Sequence, residues 1–211
     1  METVYFPSCN FTKASPQAAK KLRDWIKEAM PVAGCCRTEK RKYPTGSRAL
    51  YFCQACRETL EKRFPELEPE NLFVWLDREE CLALPDYHGL MVSVQDCWRD
   101  REHPEIHQAV RNLLCKMEID WQEIPESHER ANYCGNLHFE PERPEAAALV
   151  KARPGQELYQ FPEEEQRRIF AEQLEKHGGL PVLCYCNRCK LGMETAGGKA
   201  VHLMELLMGT Y

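Results

Sequence analysis

The stretch ALYFCQAC, residues 49–56, places an apolar run directly before two cysteines that are three positions apart. Four apolar residues in succession are typical of a strand that is buried on both faces of a parallel sheet. The residues from Arg57 to Phe64 have the composition of a helix, so the CxxC pair opens a helix directly after the strand. A strand followed by a helix is the repeating unit of α/β folds.

The same order of elements occurs at other places along the chain. Apolar runs precede Cys9, Cys97 and the CYCNRC stretch at residues 184–189. Helices are predicted to begin near Ser15-Pro16, near Pro104 and near Pro162, and a last amphipathic helix follows Gly198-Lys199. Strands that alternate with helices predict parallel sheets in an α/β protein.

Two halves of the chain share this order: strand, cysteine, helix, cysteine in a loop, strand, CxxC, helix. The order of elements, not matching letters, indicates an internal duplication. We therefore predict two halves, residues 1–88 and residues 89–211.

Composition narrows the class of protein. The chain has 211 residues, a net charge of −5 and 29% charged residues, which is typical of a folded protein and unfavourable for nucleic-acid binding. No apolar stretch approaches the roughly 20 residues that span a bilayer. The first residues, METVYFPSCN, lack a basic segment followed by an apolar one. We expect a cytoplasmic protein without a membrane span and without a nucleic-acid partner.

Twelve cysteines are the outstanding feature of the composition. In a reducing compartment, many cysteines indicate metal ligation or redox chemistry more often than disulfides. Most of these cysteines follow predicted strands, where open α/β sheets bind their ligands. They form two candidate sets, the first with Cys9, Cys35, Cys36, Cys53 and Cys56, and the second with Cys97, Cys134, Cys186 and Cys189. Thiolates bind both zinc and iron–sulfur clusters, so ligand type leaves both open.

Other cysteines and polar residues are interpreted differently. Cys81 and Cys115 lie in apolar segments and are predicted to be packed thiols. Cys184 fits either an additional ligand or a strand end, and Asp96 is predicted to cap a helix. The seven histidines are predicted to be mostly solvated. The CxxC at residues 53–56 also fits a thioredoxin-like dithiol.

The order and spacing of the cysteines along the chain resemble those of a known protein domain. The run Cys9 … Cys35-Cys36 … Cys53-x-x-Cys56, followed by Cys97 … Cys134-Gly135 … Cys186-x-x-Cys189, resembles the duplicated cysteine-rich CCG domain. That domain occurs in the B subunit of heterodisulfide reductases and in glycolate oxidase iron–sulfur subunits. The stretch VSVQDC at residues 92–97 is similar to the opening of the second CCG repeat, and Lys199 to Leu207 is similar to the last helix of these proteins.

The resemblance implies a fold, a cofactor and a function. The fold is two Rossmann-like CCG subdomains with parallel sheets related by a pseudo-twofold. Each half can hold an iron–sulfur cluster, which in the reductase is a non-cubane 4Fe–4S form. The first cysteine set would bind one cluster, and the second set the other.

The implied activity is thiol/disulfide reduction or electron transfer, as in oxidoreductase subunits of the heterodisulfide reductase B type. The implied partners are a ferredoxin-like or flavoprotein electron-donor subunit and a small disulfide or thiol substrate. The chain departs from the pattern where Arg37 follows the doublet and where Tyr133 replaces a cysteine. A zinc-binding structural or assembly protein of the same fold, without catalysis, is the alternative.

Overall fold

The computed structural model describes residues 2–211 and is an α/β protein with two parallel sheets, one of three and one of four strands. Its contacts divide the chain into two units. The first unit runs to Pro85 and includes Met204–Tyr211, and the second is Asp86–Leu203. The predicted halves, 1–88 and 89–211, rest on the order of the cysteines and stay a prediction, as does the pseudo-twofold.

The first unit contains a parallel sheet of three strands in the order β1-β2-β3. A parallel bridge between Tyr5 and Val32 continues the sheet beyond β1. The strands are β1 Thr3–Tyr5, β2 Arg48–Tyr51 and β3 Glu68–Asn71, and the helices are α1 Cys9–Ala14, α2 Pro16–Ile26, α3 Gln54–Arg63 and α4 Leu72–Glu79.

Burial explains why the apolar run that precedes the CxxC pair at residues 53–56 forms a strand. Ala49, Leu50 and Tyr51 are each at most 4% exposed, so β2 is covered on both faces as its apolar run predicts. Leu60 and Phe64 at the end of α3 belong to the same apolar core as Ala49 and Tyr51. The helix begins at Gln54, earlier than the predicted start at Arg57, because Cys53 already occupies the N-cap position.

The second unit contains a parallel sheet of four strands in the order β5-β4-β6-β7. Three short 3₁₀ helices lie at Trp98–Asp100, His128–Arg130 and Leu158–Gln160. The strands are β4 Met91–Gln95, β5 Asp120–Gln122, β6 Val182–Cys184 and β7 Ala200–His202. The helices are α5 Pro104–Lys116, α6 Pro144–Lys151, α7 Glu163–Glu175 and α8 Asn187–Thr195. The last helix, α9 Leu203–Leu207, begins at the final residue of this unit, and its other residues belong to the first unit. No helix within residues 2–211 combines the length and the apolar character needed to cross a bilayer.

The two sheets repeat one arrangement. In each, one strand leads to a single cysteine, Cys9 after β1 and Cys97 after β4, and the strand paired with it, β2 or β6, leads to a CxxC pair. The interpretation of Cys81 and Cys115 as packed thiols is wrong, and that of the histidines as mostly solvated fails for three of the seven. Cys81 and Cys115 are exposed, because each lies on the solvent side of its segment. The side chains of His107, His177 and His202 are at most 2% exposed and belong to the interior.

Candidate metal centre

Strand register brings two cysteines of the second set together. β4 and β6 are hydrogen-bonded neighbours, and their register pairs Gln95 with Cys184. The chain then continues two residues beyond each of these positions, to Cys97 after β4 and to Cys186 after β6. Parallel neighbours end at the same edge of a sheet, so a register of paired strand ends places these two cysteines side by side.

A helix and a loop supply the other two cysteines. Cys186 is the N-cap of α8, and Cys189 lies in its first turn. Cys134 lies in a tight loop in which its N–H donates to the His138 carbonyl at 2.7 Å, next to an antiparallel bridge between Tyr133 and Phe139. The loop therefore holds the Cys134 thiol over the beginning of α8.

The four thiols form a compact, buried group. The sulfur of Cys134 lies 3.5 Å from that of Cys97 and 4.0 Å from that of Cys186. All four sulfurs, including that of Cys189, lie within 4.8 Å of one another, and none of the four residues is more than 3% exposed. Metal–sulfur bonds of about 2.3 Å in a tetrahedron place sulfurs about 3.8 Å apart, so the spacing fits one four-coordinate ion.

The pKa values of the four thiols are shifted in different directions. Burial raises the pKa of the Cys97 and Cys189 thiols well above their usual range. Hydrogen bonds from Cys134 and then from Cys189 hold the pKa of Cys186 well below it. These bonds favour the thiolate form at Cys186, which lies at the N-terminus of α8, where negative charge is stabilised. A bound cation would favour the thiolate form of the other three as well.

Tyr133 closes the group on the side of α8. Its side chain is completely buried, and its ring packs against Phe139 and Phe170 at centroid distances of 5.2 and 5.8 Å. Its hydroxyl lies directly against Gly192, where a Cβ atom would overlap it. The aromatic ring, at the position where the CCG pattern has a cysteine, therefore lies beside the sulfurs.

Gly135 allows the loop to approach the helix. Its φ angle is +53°, and a Cβ atom there would overlap the backbone carbonyl of Arg188. Only glycine combines this left-handed conformation with so close a contact. The Cys134 thiol can reach the other sulfurs because the next residue has no side chain.

Tyr185 fixes the backbone of Cys97. The Cys97 N–H donates a hydrogen bond of 3.1 Å to the Tyr185 hydroxyl, and both residues are completely buried. Because Tyr185 lies between Cys184 and Cys186, this bond ties the end of β4 to the end of β6. It is one of the contacts that hold the two cysteine-bearing segments in register.

We expect Tyr185→Phe to lower the free energy of unfolding by about 1–2 kcal/mol, because it leaves the buried Cys97 N–H without an acceptor. Chemical denaturation of the metal-loaded protein measures this loss. The matched control is Tyr159→Phe, whose ring is 50% exposed, and it should change the free energy of unfolding little. Equal stability of the two variants would contradict the positioning role of the Tyr185 hydroxyl.

The residue before Cys97 is held by a buried ion pair. Arg111 on α5 donates to both carboxylate oxygens of Asp96 at 2.6 and 2.7 Å and also binds Glu123. Burial alone would raise the pKa of Asp96, but the hydrogen bonds and charge of Arg111 outweigh it and hold this pKa below its usual value. Asp96 is therefore an ionised anchor, and its carboxylate also accepts from the His128 N–H at 2.8 Å, at the first residue of a 3₁₀ helix.

The carboxylates of Asp96 and Glu123 and the ring of His128 form a second group of potential ligands within 4.8 Å. The guanidinium of Arg111 already pairs with both carboxylates, so this group is an ion-pair network. Cys184, the other ambiguous residue, ends β6 within the sheet and lies outside the four-sulfur group.

A buried polar network lies along β4 before the site. Ser93 Oγ is 2.7 Å from His177 Nδ1, and His177 Nε2 is 3.2 Å from Gln95 Oε1, which also accepts from Gln173. Because the amide oxygen of Gln95 can only accept, the partners assign a neutral imidazole with its proton on Nε2. Burial lowers the pKa of His177 to about 4, with the charge of Lys176 acting in the same direction and that of Glu126 opposing it.

We expect the second unit to lose stability as pH falls from about 6.5 towards 4. The unfolded chain binds a proton at His177 in this range and the folded chain does not, so full stability is present above pH 6.5. The depressed pKa corresponds to roughly 3 kcal/mol at the acid end of the window. His177→Gln should flatten the pH profile of the free energy of unfolding, whereas His88→Gln, at an exposed position, should leave it unchanged.

The first cysteine set is arranged differently. Cys36, Cys53 and Cys56 are at most 5% exposed, whereas Cys9 is exposed and Cys35 is half-buried. Within residues 2–211, this set does not gather three sulfurs within 4.8 Å of one another as the second set does. Its assignment as a cluster-binding set stays a prediction.

The doublet lies in a loop that one carboxylate organises. Glu39 accepts from the Gly34 N–H at 2.6 Å and from the Arg41 N–H at 2.8 Å, and Arg63 donates to the Cys36 carbonyl at 2.5 Å. Hydrogen bonds from the Cys56 thiol first, and then from Thr59, lower the pKa of Cys36 to about 6, although burial opposes this. The thiolate form of Cys36 is therefore favoured.

Comparisons of the chain with protein-family models, with curated proteins and with solved structures found no match. The resemblance to the CCG domain therefore rests on the cysteine pattern itself and stays a prediction. The sequence pointed to the cysteines but not to Tyr185, Arg111 or Gly192, whose roles depend on contacts between distant segments. The sequence offered one signal for Tyr133 and Gly135, because they lie directly before and after Cys134.

Proposed function

We propose that this protein is a cysteine-rich metalloprotein of the CCG type that takes part in thiol/disulfide redox chemistry or electron transfer with partner subunits. The observation that carries the metal-binding part is the group of four buried thiols within 4.8 Å of one another. Four soft donors without a carboxylate or an imidazole select zinc, iron or an iron–sulfur cluster over magnesium or calcium.

Cys97, Cys134, Cys186 and Cys189 hold the metal in this proposal. An iron–sulfur cluster, when bound, supplies one-electron chemistry, and a zinc ion supplies a structural cross-link. The chain's own residues keep the group dry and fixed, because Tyr133 covers it and Tyr185 holds the Cys97 backbone. The electron donor is a ferredoxin-like or flavoprotein subunit, and the substrate is a small disulfide or thiol.

The redox part of the proposal is supported by the first cysteine set. Two of its thiols, Cys9 and Cys35, are reachable from solvent, and the pKa of Cys36 is lowered to about 6. Accessible thiols and a stabilised thiolate are features of reactive cysteines.

The test is a count of iron, acid-labile sulfide and zinc in anaerobically purified protein, with EPR of the reduced and oxidised forms. About one zinc or iron ion, or one cluster, per chain supports the metal centre. Iron and zinc both at background would contradict it. The same counts on Cys36→Ser, with Cys81→Ser as the exposed-thiol control, report whether the first set also holds metal.

A zinc-binding structural or assembly protein is the second candidate function. Two observations favour it: the sulfur spacing fits one tetrahedral ion, and complete burial leaves no open coordination position for a substrate. Zinc near one per chain, with iron and sulfide at background and no EPR signal, would favour this candidate over an iron–sulfur protein.

A further inference from the structure

The four-thiol group is closed to solvent. Cys97, Cys134 and Cys189 are completely buried and Cys186 is 3% exposed, so an ion can reach the sulfurs only if a neighbouring segment moves. The contacts that hold the surrounding segments in place therefore decide where the group opens to admit or release a metal.

The contacts of the Cys134 loop with α8 are tight. Tyr133 is completely buried, and its hydroxyl lies against Gly192, where a Cβ atom would overlap it. The backbone of Gly135 lies equally close to the Arg188 carbonyl. Opening the group at α8 would separate buried apolar surfaces, which costs free energy in proportion to the area that water then reaches.

The contacts of the same loop with the Cys97 segment are of a different kind. The rings of Trp98 and His138 stack at a centroid distance of 3.9 Å with 17° between their planes, and both residues are half-buried. The guanidinium of Arg101, an exposed residue, lies 5.0 Å from the centre of the Trp98 ring. Partly solvated rings expose little new surface when they separate, so this contact is the easier one to open.

The stack joins two segments that carry thiols. Trp98 directly follows Cys97, and its N–H donates to the Tyr133 carbonyl at 3.0 Å. The His138 carbonyl accepts from the Cys134 N–H at 2.7 Å. The closed stack therefore holds the segments of Cys97 and Cys134 together, and separation of the two rings frees the loop to move away from Cys97.

The imidazole of His138 is available to a metal ion. Its ring nitrogens form no hydrogen bond with any residue between 2 and 211. Imidazole is the commonest metal ligand among side chains, and it suits both zinc and iron. An ion bound to this half-buried ring is held at the Cys134 loop, on the route from solvent to the sulfurs.

We propose that Trp98 and His138 form the gate of the metal centre and that the His138 imidazole is the first ligand of an entering ion. The inference rests on the proposed metal centre and adds how its ion exchanges. A divalent ion binds the imidazole as the two rings separate and then passes to the sulfurs. Each thiol proton is released to solvent as its sulfur binds the ion, and the stack closes. Release follows the reverse order.

The experiment uses the full-length protein, loaded anaerobically with Zn²⁺ alone as the probe. Transfer of zinc to a chromogenic chelator gives the release rate, and the end point of the transfer gives the dissociation constant. Trp98→Ala should release zinc about 10-fold faster or more, with the dissociation constant unchanged within about 3-fold, because a gate alters the barrier and not the bound state. The matched control is Tyr159→Ala, at an aromatic residue that is 50% exposed, and it should change neither quantity.

Two further variants test the parts of the gate. Arg101→Gln changes an exposed side chain and loosens the stack, so it should release zinc about 3-fold faster at an unchanged dissociation constant. This variant keeps the test decisive if Trp98→Ala does not fold. His138→Phe retains a flat ring in the stack but removes the nitrogen ligand, so release should slow about 5-fold or more. His88→Phe, at an exposed position, is its control.

Faster release with an equally weakened dissociation constant in Trp98→Ala and Arg101→Gln would overturn the gate, because the stack would then only stabilise the bound state. Release from His138→Phe at the parent rate would overturn the role of the imidazole. Parent protein that holds about one zinc, with release unaffected by all three variants, would overturn the whole inference and leave the metal centre standing. Parent protein that holds no zinc would contradict the metal centre itself, and the gate with it.

Discussion

Cys134→Ser should remove close to one metal equivalent per chain and lower the melting temperature by about 5 °C or more. The Cys134 sulfur lies 3.5 Å from that of Cys97 and 4.0 Å from that of Cys186, so its loss breaks the group at a central position. Serine supplies a poorly coordinating hydroxyl in place of a thiolate, and it leaves that hydroxyl in a completely buried position. Metal analysis and thermal unfolding under anaerobic conditions measure the two effects.

The control for this variant is Cys115→Ser, which makes the same chemical change at an exposed cysteine of the same unit. It should retain the full metal content, and its melting temperature should change by about 1 °C or less. If Cys134→Ser keeps its metal, the four-sulfur group is not the metal centre. If both variants lose metal equally, thiol oxidation during purification and not coordination explains the loss.

Gly135→Ala should lower the free energy of unfolding by about 3 kcal/mol or more and weaken metal retention. Part of the cost is the left-handed conformation, which a residue with a Cβ adopts at about 1–2 kcal/mol. The rest is steric, because the new Cβ meets the carbonyl of Arg188, a backbone atom that cannot rotate away. The loop must then move off α8 and carry the Cys134 thiol away from the other sulfurs. Denaturant unfolding and competition with a chelator check the two effects.

Gly155→Ala separates the two costs. Gly155 also has a left-handed backbone, with φ of +77°, but no atom lies within 4 Å of the position its Cβ would occupy. This variant should cost about 1 kcal/mol and leave metal retention unchanged. A Gly135→Ala variant that behaves like Gly155→Ala would show that the loop does not need its close approach to α8.

Much of the fold could be predicted from the sequence because its signals are local. The apolar runs before Cys53 and Cys97 predict buried parallel strands, and the CxxC pairs mark the helices that follow, as the structure shows for α3 and α8. Cysteine spacing also singled out the second set, whose four sulfurs the structure places within 4.8 Å of one another.

Elements with weak local signals were missed. β3 has the sequence EPEN, which is polar and contains a proline, and it forms a strand because it is the edge partner of β2. Ala200–His202 was predicted as part of the last helix, but pairing with β6 makes it a strand. In both cases the neighbouring strand overrides local propensity.

The surroundings of the site depend on long-range contacts, and no sequence pattern encodes them. The bond from the Cys97 N–H to the Tyr185 hydroxyl joins residues 88 positions apart, and the network of Ser93 and His177 joins residues 84 positions apart. The exposure of Cys81 and Cys115 likewise depends on which face of a segment meets solvent.

The pairing of β4 with β6 has a consequence for the order of events during folding. Cys97 and Cys186 become neighbours only after the long intervening chain has folded back and the two strands have aligned. Closing so large a loop is slow and entropically costly, whereas Cys186 and Cys189 are already close in the nascent chain. A metal ion captured early is therefore held by two ligands and exchanges readily. Four-fold coordination is reached only by a chain whose sheet has assembled in register, so metal retention reports on the completion of folding.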